Sequence, residues 1–334
     1  MMRDTLNNKP TVSVVMSFCD EPLQWLRLAV GSILEQTFTD FELLIVCDNP
    51  GAKECIGYIK EKASEDTRVH IIMNESNLGP TKSFNIAIRQ AEGQYIARMD
   101  ADDIAFKERF ERQVAFLKSH PEISACASDV HIINEEGEIT RRNKYHNKRD
   151  QSLHFIYNTI AHPTVMFRKS LKELRNPIYN EEYIYSQDYE LWQHLLLNGH
   201  KIFTLDETLL LYRKSRSQIS VAKRREQVEL FKKAHKKFIL GWLISHGVID
   251  ESDCDNLKCI LKKASKAFRT SKGEDRRALT LIIYVLYFSL ATTDWKYKFI
   301  YPFDRNLIIF RIEFIFSVRF YVSQKTRRNR TGFL

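Results

Sequence analysis

The first hundred residues alternate between short apolar runs and longer segments in which apolar side chains recur at helical spacing. Four apolar runs each predict a buried strand, and they occupy residues 11–16, 41–46, 69–73 and 94–99. After the first run, Leu26, Val30 and Ile33 fall on one side of a predicted helix, and further helices are predicted over residues 52–64 and 80–91. Strands that alternate with helices predict an α/β fold with a mostly parallel sheet.

Polar residues follow each predicted strand, and ligands of parallel sheets bind at that edge. Asp100, Asp102 and Asp103 come directly after the fourth strand. Carboxylates spaced in this way can share a divalent cation, and Mg²⁺ and Mn²⁺ prefer oxygen ligands. A solvated turn or a helix cap is the alternative for an isolated pair. The first strand is followed by neither Gly-x-Gly-x-x-Gly nor Gly-Lys-Ser/Thr, which disfavours dinucleotide-binding and P-loop proteins.

The net charge of +9 is unevenly distributed along the chain. Residues 213–334 carry an excess of 16 positive charges, whereas residues 1–212 carry an excess of 7 negative charges. We therefore expect the back part to seek anionic surfaces, and we expect no nucleic acid partner for the acidic front part. The six cysteines form no Cys-x-x-Cys pair and the first ten residues contain no apolar stretch, so we expect reduced thiols in a cytoplasmic protein without a signal peptide.

Basic residues accompany aromatic and aliphatic ones throughout the back third. A basic helix is predicted over residues 224–243, and residues 278–291 form an apolar run shorter than the roughly 20 residues that span a bilayer. Charged residues interrupt a second apolar stretch at 307–322. This pattern is typical of peripheral attachment to an anionic membrane surface. The alternative is a helical subdomain packed on the sheet, with a solvated basic tail.

Taken together and in order, several motifs make the chain similar to the family 2 glycosyltransferases of the GT-A fold. The resemblance covers about residues 11–220, and its segments are residues 12–18, 32–37, 41–50, 77–79, 91–93, 100–103, 162–168, 187–192 and 211–213. It implies a GT-A catalytic domain over residues 1–220, and residues 221–334 are then a helical, basic and aromatic extension. It also implies inverting, metal-dependent transfer of a sugar from a nucleotide donor, most commonly a uridine diphosphate sugar.

The resemblance assigns the donor site to residues at the edge of the sheet. Asp48 resembles the carboxylate that contacts the nucleotide base, and Ser17 and Asn77 lie where they would frame that base. Asp100 and Asp102 match the Asp-x-Asp motif of the family, which binds the ribose and the diphosphate through Mn²⁺ or Mg²⁺.

Further roles fall on residues later in the chain. Asp188 matches the general base of the family, although capping of a helix is the alternative. Arg213 follows a predicted strand and could contact the diphosphate or be a surface charge. His162 could serve the acceptor or be a buried histidine. The chain departs from the common pattern at Cys47 and Gln187, where many members carry aspartate and glutamate.

These interpretations predict an enzyme that adds single sugars to a lipid-linked, lipopolysaccharide or capsular glycan at the inner face of the cell membrane. Processive synthases of the family carry Gln-x-x-Arg-Trp and several spanning helices, which this sequence lacks. The alternatives are a sugar-phosphate nucleotidyltransferase and a basic nucleic-acid-binding protein. The first would need a glycine-rich basic loop after the first strand, and the acidic front part disfavours the second.

Overall fold

The computed structural model describes residues 9–143, 158–171, 175–216, 218 and 223–293. The strands within these ranges are β1 (Val12–Phe18), β2 (Phe41–Cys47), β3 (Val69–Met73), β4 (Tyr95–Asp100), β5 (Ile104–Ala105), β6 (Ile123–Ile133), β7 (Ile139–Asn143), β8 (Met166–Arg168) and β9 (Lys201–Arg213). The α-helices are α1 (Leu23–Leu34), α2 (Lys53–Glu65), α3 (Pro80–Gln90), α4 (Arg109–Ser119), α5 (Gln187–Leu197), α6 (Arg224–Ser245), α7 (Leu257–Thr270) and α8 (Gly273–Thr293).

All of these strands join one sheet, in the order β3-β2-β1-β4-β8-β6-β9-β5, with β7 beside β6. Strands β3, β2, β1 and β4 pair in parallel, and β6 pairs with β9 in parallel. The short strand β8 runs antiparallel to both β4 and β6. The predicted α/β fold with a mostly parallel sheet is therefore confirmed, and the four strands predicted from the apolar runs are β1 to β4.

Side chains from the two faces of the sheet form separate hydrophobic cores, because successive residues of a strand point in opposite directions. On one face, Val14 of β1 and Leu43 of β2 pack with residues of α1, α2 and α4. On the other face, Val15 and Ile96 pack with Phe84 of α3 and with residues of α5. The α5 helix thus covers the same face as α3.

The helices after the sheet form a third core, which contains Phe238, Leu243, Ile260 and Ile282 and is extended by α5. The apolar run at 278–291 lies within α8, whose residue Leu279 is also buried there. Among the described residues, none of the helices is both long and apolar enough to cross a membrane.

The division of the chain at residue 220 stays a prediction, and so does attachment to a membrane. The stretch at 307–322 and the basic terminus lie outside the described residues.

Candidate active site

The carboxylates of the Asp-x-Asp motif lie where β4 ends. The register of β1 against β4 places Ser17 beside Asp100, so these two predicted residues are neighbours across the sheet. Asp100, Asp102 and Asp103 each offer a carboxylate oxygen, and these oxygens all lie within 4.8 Å of one another. Asp100 and Asp102 are half-buried, whereas Asp103 is fully buried.

The chemistry of this cluster fits a divalent cation. Burial raises the pKa of Asp102, and the neighbouring charge of Asp100 raises it further. The Oδ2 atom of Asp103 is buried and has no hydrogen-bond partner in the described part of the chain. Grouped carboxylates that repel one another are stabilised by a cation, and oxygen ligands suit Mg²⁺ or Mn²⁺. Asp100 and Asp102 are the residues that could hold it.

A further carboxylate, that of Glu21, borders this cluster and was not predicted as a site residue. Its Oε2 atom accepts a hydrogen bond of 2.6 Å from the backbone N–H of Cys19. Burial raises the pKa of Glu21, and the charge of Asp100 adds to the shift. The position of Glu21 shortly after β1, at the ligand-binding edge, was the signal in the sequence.

A buried cation, Arg98, lies next to the motif and was also missed. Its Nη2 atom is 2.7 Å from Asp100 Oδ1, and its guanidinium lies 4.4 Å from the centre of the Phe84 ring. A charged residue within an otherwise apolar predicted strand was the signal for it.

Asp48 holds the loop that leads into α3. Its Oδ1 accepts hydrogen bonds of 2.8 Å from Asn74 Nδ2 and from the backbone N–H of Leu78, and its Oδ2 accepts one of 2.9 Å from the N–H of Gly79. Asn77 is exposed, and its Oδ1 accepts a hydrogen bond from the same N–H of Gly79. Gly79 has φ +82°, which favours glycine. The structure thus brings Asp48 and Asn77 together, and their contact with a base stays a prediction.

Asp188 lies in the first turn of α5, after Ser186 at the N-cap position. It is therefore not the N-cap residue. Its Oδ2 accepts a hydrogen bond of 2.7 Å from Asn158 Nδ2. Burial raises the pKa of Asp188, while the backbone N–H of Tyr189 and the charge of Arg98 act in the opposite direction. A half-buried carboxylate with raised proton affinity and a fixed orientation is suited to accept a proton.

His162 is buried and hydrogen-bonded within the core. Its Nε2 atom is 2.7 Å from the Tyr179 hydroxyl, and its ring meets the Trp192 ring edge-on. Burial holds the pKa of His162 well below its ordinary value, and the charge of Arg98 adds to this effect. The structure thus matches the alternative of a buried, neutral histidine.

Arg213 lies beneath the carboxylate loop and is almost fully buried. Its Nε donates to the backbone carbonyl of Asp102 at 2.8 Å, and its Nη1 donates to the carbonyls of Asn134 and Glu135 at 3.0 Å. Because burial disfavours the charged form, the pKa of Arg213 is lowered. Arg213 is therefore not a surface charge, and its contact with a diphosphate stays a prediction.

Comparison with known proteins relates this geometry to a family. Residues 13–175 match the profile of Glycosyl transferase family 2. An uncharacterised glycosyltransferase of Methanocaldococcus jannaschii is 40% identical over 210 residues, which are 62% of this chain and 71% of that protein. The chain belongs to glycosyltransferase family 2. This family 2 glycosyltransferase is also 33% identical to the O-antigen biosynthesis glycosyltransferase WbnJ of Escherichia coli, over 57% of this chain and 74% of that protein. The nucleotidyltransferase and nucleic-acid-binding alternatives are set aside.

Solved structures share the fold of this family 2 glycosyltransferase. TarS 1-349 of S. aureus in complex with UDP-GlcNAc superimposes with a TM-score of 0.56 at 18% identity, over 78% of this chain and 73% of that one. The mannosyltransferase PcManGT of Pyrobaculum calidifontis, in complex with GDP-Man and Mn²⁺, gives a TM-score of 0.52 at 13% identity, over 85% and 72% of the two chains. At this level of identity the likeness establishes the GT-A-like fold alone.

Proposed function

We propose that this enzyme transfers a sugar from a nucleotide donor, with inversion, to a hydroxyl group of a growing lipid-linked, lipopolysaccharide or capsular glycan. The observation that carries the proposal is the placement of two kinds of carboxylate around one edge of the sheet. Asp100 and Asp102 lie at the end of β4, and Asp188 lies in the first turn of α5, the helix that covers the face of the sheet on which Arg98 lies. Asp100 and Asp102 are suited to bind a metal-bound diphosphate, and Asp188 is suited to act as a general base.

On the donor side, Asp100 and Asp102 would hold Mn²⁺ or Mg²⁺. The ion supplies positive charge that stabilises the diphosphate as it leaves. The loop that Asp48 fixes, together with Asn77 and Ser17, frames the place of the nucleotide base. Arg213 keeps the backbone of Asp102 in place through a hydrogen bond to its carbonyl.

On the acceptor side, Asp188 takes the proton of the attacking hydroxyl. The acceptor oxygen forms a bond to the anomeric carbon, while the bond from that carbon to the diphosphate oxygen breaks and its electron pair leaves with the diphosphate. Asn158 orients the carboxylate of Asp188 through a hydrogen bond to Oδ2. Because burial raises the proton affinity of this carboxylate, it is a stronger base than an exposed aspartate.

Two similar proteins support the substrate classes. TarS, which shares the fold, was solved in complex with UDP-GlcNAc, and the Escherichia coli relative WbnJ is named for O-antigen biosynthesis. We therefore favour a uridine diphosphate hexose or N-acetylhexosamine as the donor, and a surface glycan as the acceptor.

We place the enzyme at the inner face of the cell membrane, attached peripherally. Exposed lysines of α7, including Lys262 and Lys266, lie one helical turn apart and so share a face. A basic face of this kind suits anionic headgroups, among which a lipid-linked acceptor would lie.

The direct test is a panel of nucleotide sugars added to the full chain, with and without Mn²⁺, and read by thermal unfolding. A ligand that binds only the folded state adds about 2.7 kcal/mol of stability when its free concentration is 100 times its dissociation constant. We expect one donor to raise the Tm only with metal, and we expect D102N to lose this response. The control D255N changes an exposed aspartate outside the site and should behave like the wild type. A panel without any metal-dependent response contradicts the proposal.

A further inference from the structure

Arg98 is a buried charge within a strand of the central sheet. It precedes Asp100 by two residues on β4, so both side chains leave the same face of the sheet. Only 6% of Arg98 is exposed. Its Nη2 atom lies 2.7 Å from Asp100 Oδ1, which makes the carboxylate at the start of the Asp-x-Asp motif its ion-pair partner.

The rest of the guanidinium is poorly compensated. The Nε and Nη1 atoms of Arg98 are buried and have no hydrogen-bond partner among the described residues, and the Phe84 ring covers one face of the group. Burial of a charge is unfavourable unless hydrogen bonds and an opposite charge offset it. A side chain selected for stability alone would have these donors satisfied, so the arrangement calls for a functional explanation.

The carboxylates that act on Arg98 come from the proposed catalytic machinery. Asp100 extends from its own strand and Asp188 comes from α5, while the neutral phenol of Tyr179 lies in the segment before α5. Burial keeps His162, from the turn before β8, neutral, and the charge of Arg98 adds to this effect. Asp188 in turn faces Arg98, the amide of Asn158 and the N–H of Tyr189. Arg98 therefore interacts with the metal-binding motif and with the base.

We propose that Arg98 is a positioning residue for sugar transfer. It holds the Asp100 carboxylate in one orientation for the donor, and it supplies a fixed positive charge that acts on Asp188. This inference rests on the proposed function, because it assigns those two aspartates to the donor and to the base. The contact from Nη2 to Asp100 Oδ1 serves the first task, and the positive charge of the guanidinium serves the second.

The test compares Arg98→Gln and Arg98→Lys with the wild type, in steady-state turnover with the donor and Mn²⁺ across pH. We expect R98Q to lose roughly 100-fold in kcat/KM for the donor, as misplacement of a positioned group does. Without the positive charge, the base also binds its proton more tightly, so the acidic limb of the kcat profile moves to higher pH. R98K restores the charge but not the planar guanidinium that places Nη2 against Asp100, so its acidic limb returns to the wild-type position while the donor KM stays raised.

A matched control is Arg168→Gln on β8. Arg168 is another partly buried arginine, and its guanidinium donates to the carbonyls of Leu117, His120 and Ile123, away from the carboxylates. We expect R168Q to lower the Tm and to leave kcat, KM and the pH profile unchanged. If the folded R98Q or R98K protein behaves like R168Q, the inference is wrong.

A double-mutant cycle separates positioning through Asp100 from an independent effect. When one residue acts through another, the two changes are not additive. We expect the change of Arg98 to lysine to lower donor affinity when Asp100 is present but not when it has been replaced in D100N. Fully additive effects of the two changes on donor affinity contradict the inference. A wild-type enzyme that turns over no nucleotide sugar contradicts the proposed function instead, so the two failures are distinguishable.

Discussion

Asp103 accepts a hydrogen bond of 2.7 Å from the backbone N–H of Arg213, a residue 110 positions further along the chain. The contact joins the last residue of β9 to the loop of the Asp-x-Asp motif. The guanidinium of Arg213 reinforces it by donating to the carbonyl of Asp102. The geometry of the proposed metal site thus depends on a strand that is remote in sequence.

The two substitutions Asp103→Ala and Asp103→Asn separate this tether from the charge of Asp103. Alanine leaves the N–H of Arg213 buried without a partner, whereas asparagine keeps an acceptor oxygen. Since an unpaired buried donor costs about 1–3 kcal/mol, we expect D103A to be less stable than D103N by about that amount. Urea unfolding measures the difference. Equal stabilities would show that the hydrogen bond is unimportant.

Gly93 lies directly against β1, just before β4 begins. A Cβ atom at this position would be 2.5 Å from the backbone nitrogen of Ser13 and 2.7 Å from the carbonyl carbon of Val12. Backbone atoms cannot yield as a flexible side chain does, so we expect Gly93→Ala to destabilise the fold by about 1–3 kcal/mol.

The control for this substitution is Gly57→Ala in α2. A Cβ at Gly57 meets nothing within 4 Å, and alanine favours a helix by about 1 kcal/mol over glycine. Thermal unfolding should therefore show opposite shifts of Tm for the two variants. Shifts in the same direction would contradict this account of the close approach.

Asp188→Asn removes the proposed base and preserves the size of the side chain. We expect kcat to fall by about 10²–10⁴-fold, because that is the usual contribution of general base catalysis. Donor affinity, measured by calorimetry with Mn²⁺, should remain close to that of the wild type. D102N should instead lose donor affinity as well as turnover. A D188N enzyme with normal turnover excludes Asp188 as the base.

The pH dependence of turnover should report the ionisation of Asp188. Burial raises the pKa of this carboxyl above its ordinary value near 4, and only the deprotonated form can accept a proton. The kcat value should therefore decline as the pH falls through this raised pKa, and the decline should begin at a higher pH than for an exposed aspartate. Initial rates at saturating substrate, measured over a range of pH, give this decline of kcat on the acidic side. An acidic limb that begins no higher than for an exposed aspartate would contradict the raised pKa.

Charge reversal tests the proposed attachment to a membrane. Lys262→Glu with Lys266→Glu should weaken binding to vesicles that contain anionic lipid, since each basic residue near such a surface contributes about 1 kcal/mol. The exposed pair Lys53 and Lys60 of α2, changed in the same way, is the control of equal charge. Sedimentation with vesicles gives the bound fraction. Equal losses in the two double variants would indicate a general effect of net charge.

A deletion from residue 278 is a poor substitute for this experiment. Ala278, Leu279 and Ile282 are buried in the core shared by α6, α7 and α8. Removal of these side chains would expose that core, so any change in fractionation would reflect unfolding of the helices.

The front of the fold was predictable because its signals are local. The apolar runs that became β1 to β4 and the helical spacing between them lie within short windows of sequence. The positions of β6 and β8 depend on pairing between distant segments, and no local pattern encoded them. For the same reason Arg98 and Glu21 were missed, since their roles arise from neighbours that only the folded chain brings close. Asp188 was found through the order of motifs along the chain.

The three residues of β8 lie between β4 and β6 in the sheet, yet they follow both strands in the chain. During translation, β1 to β4 can pair as soon as about the first hundred residues have left the ribosome. The outer backbone groups of β4 then stay without a partner strand until β8 is synthesised. Open strands of this kind attract other chains. The nascent enzyme is therefore more prone to aggregate in the interval between these two strands, before the helix that carries Asp188 exists.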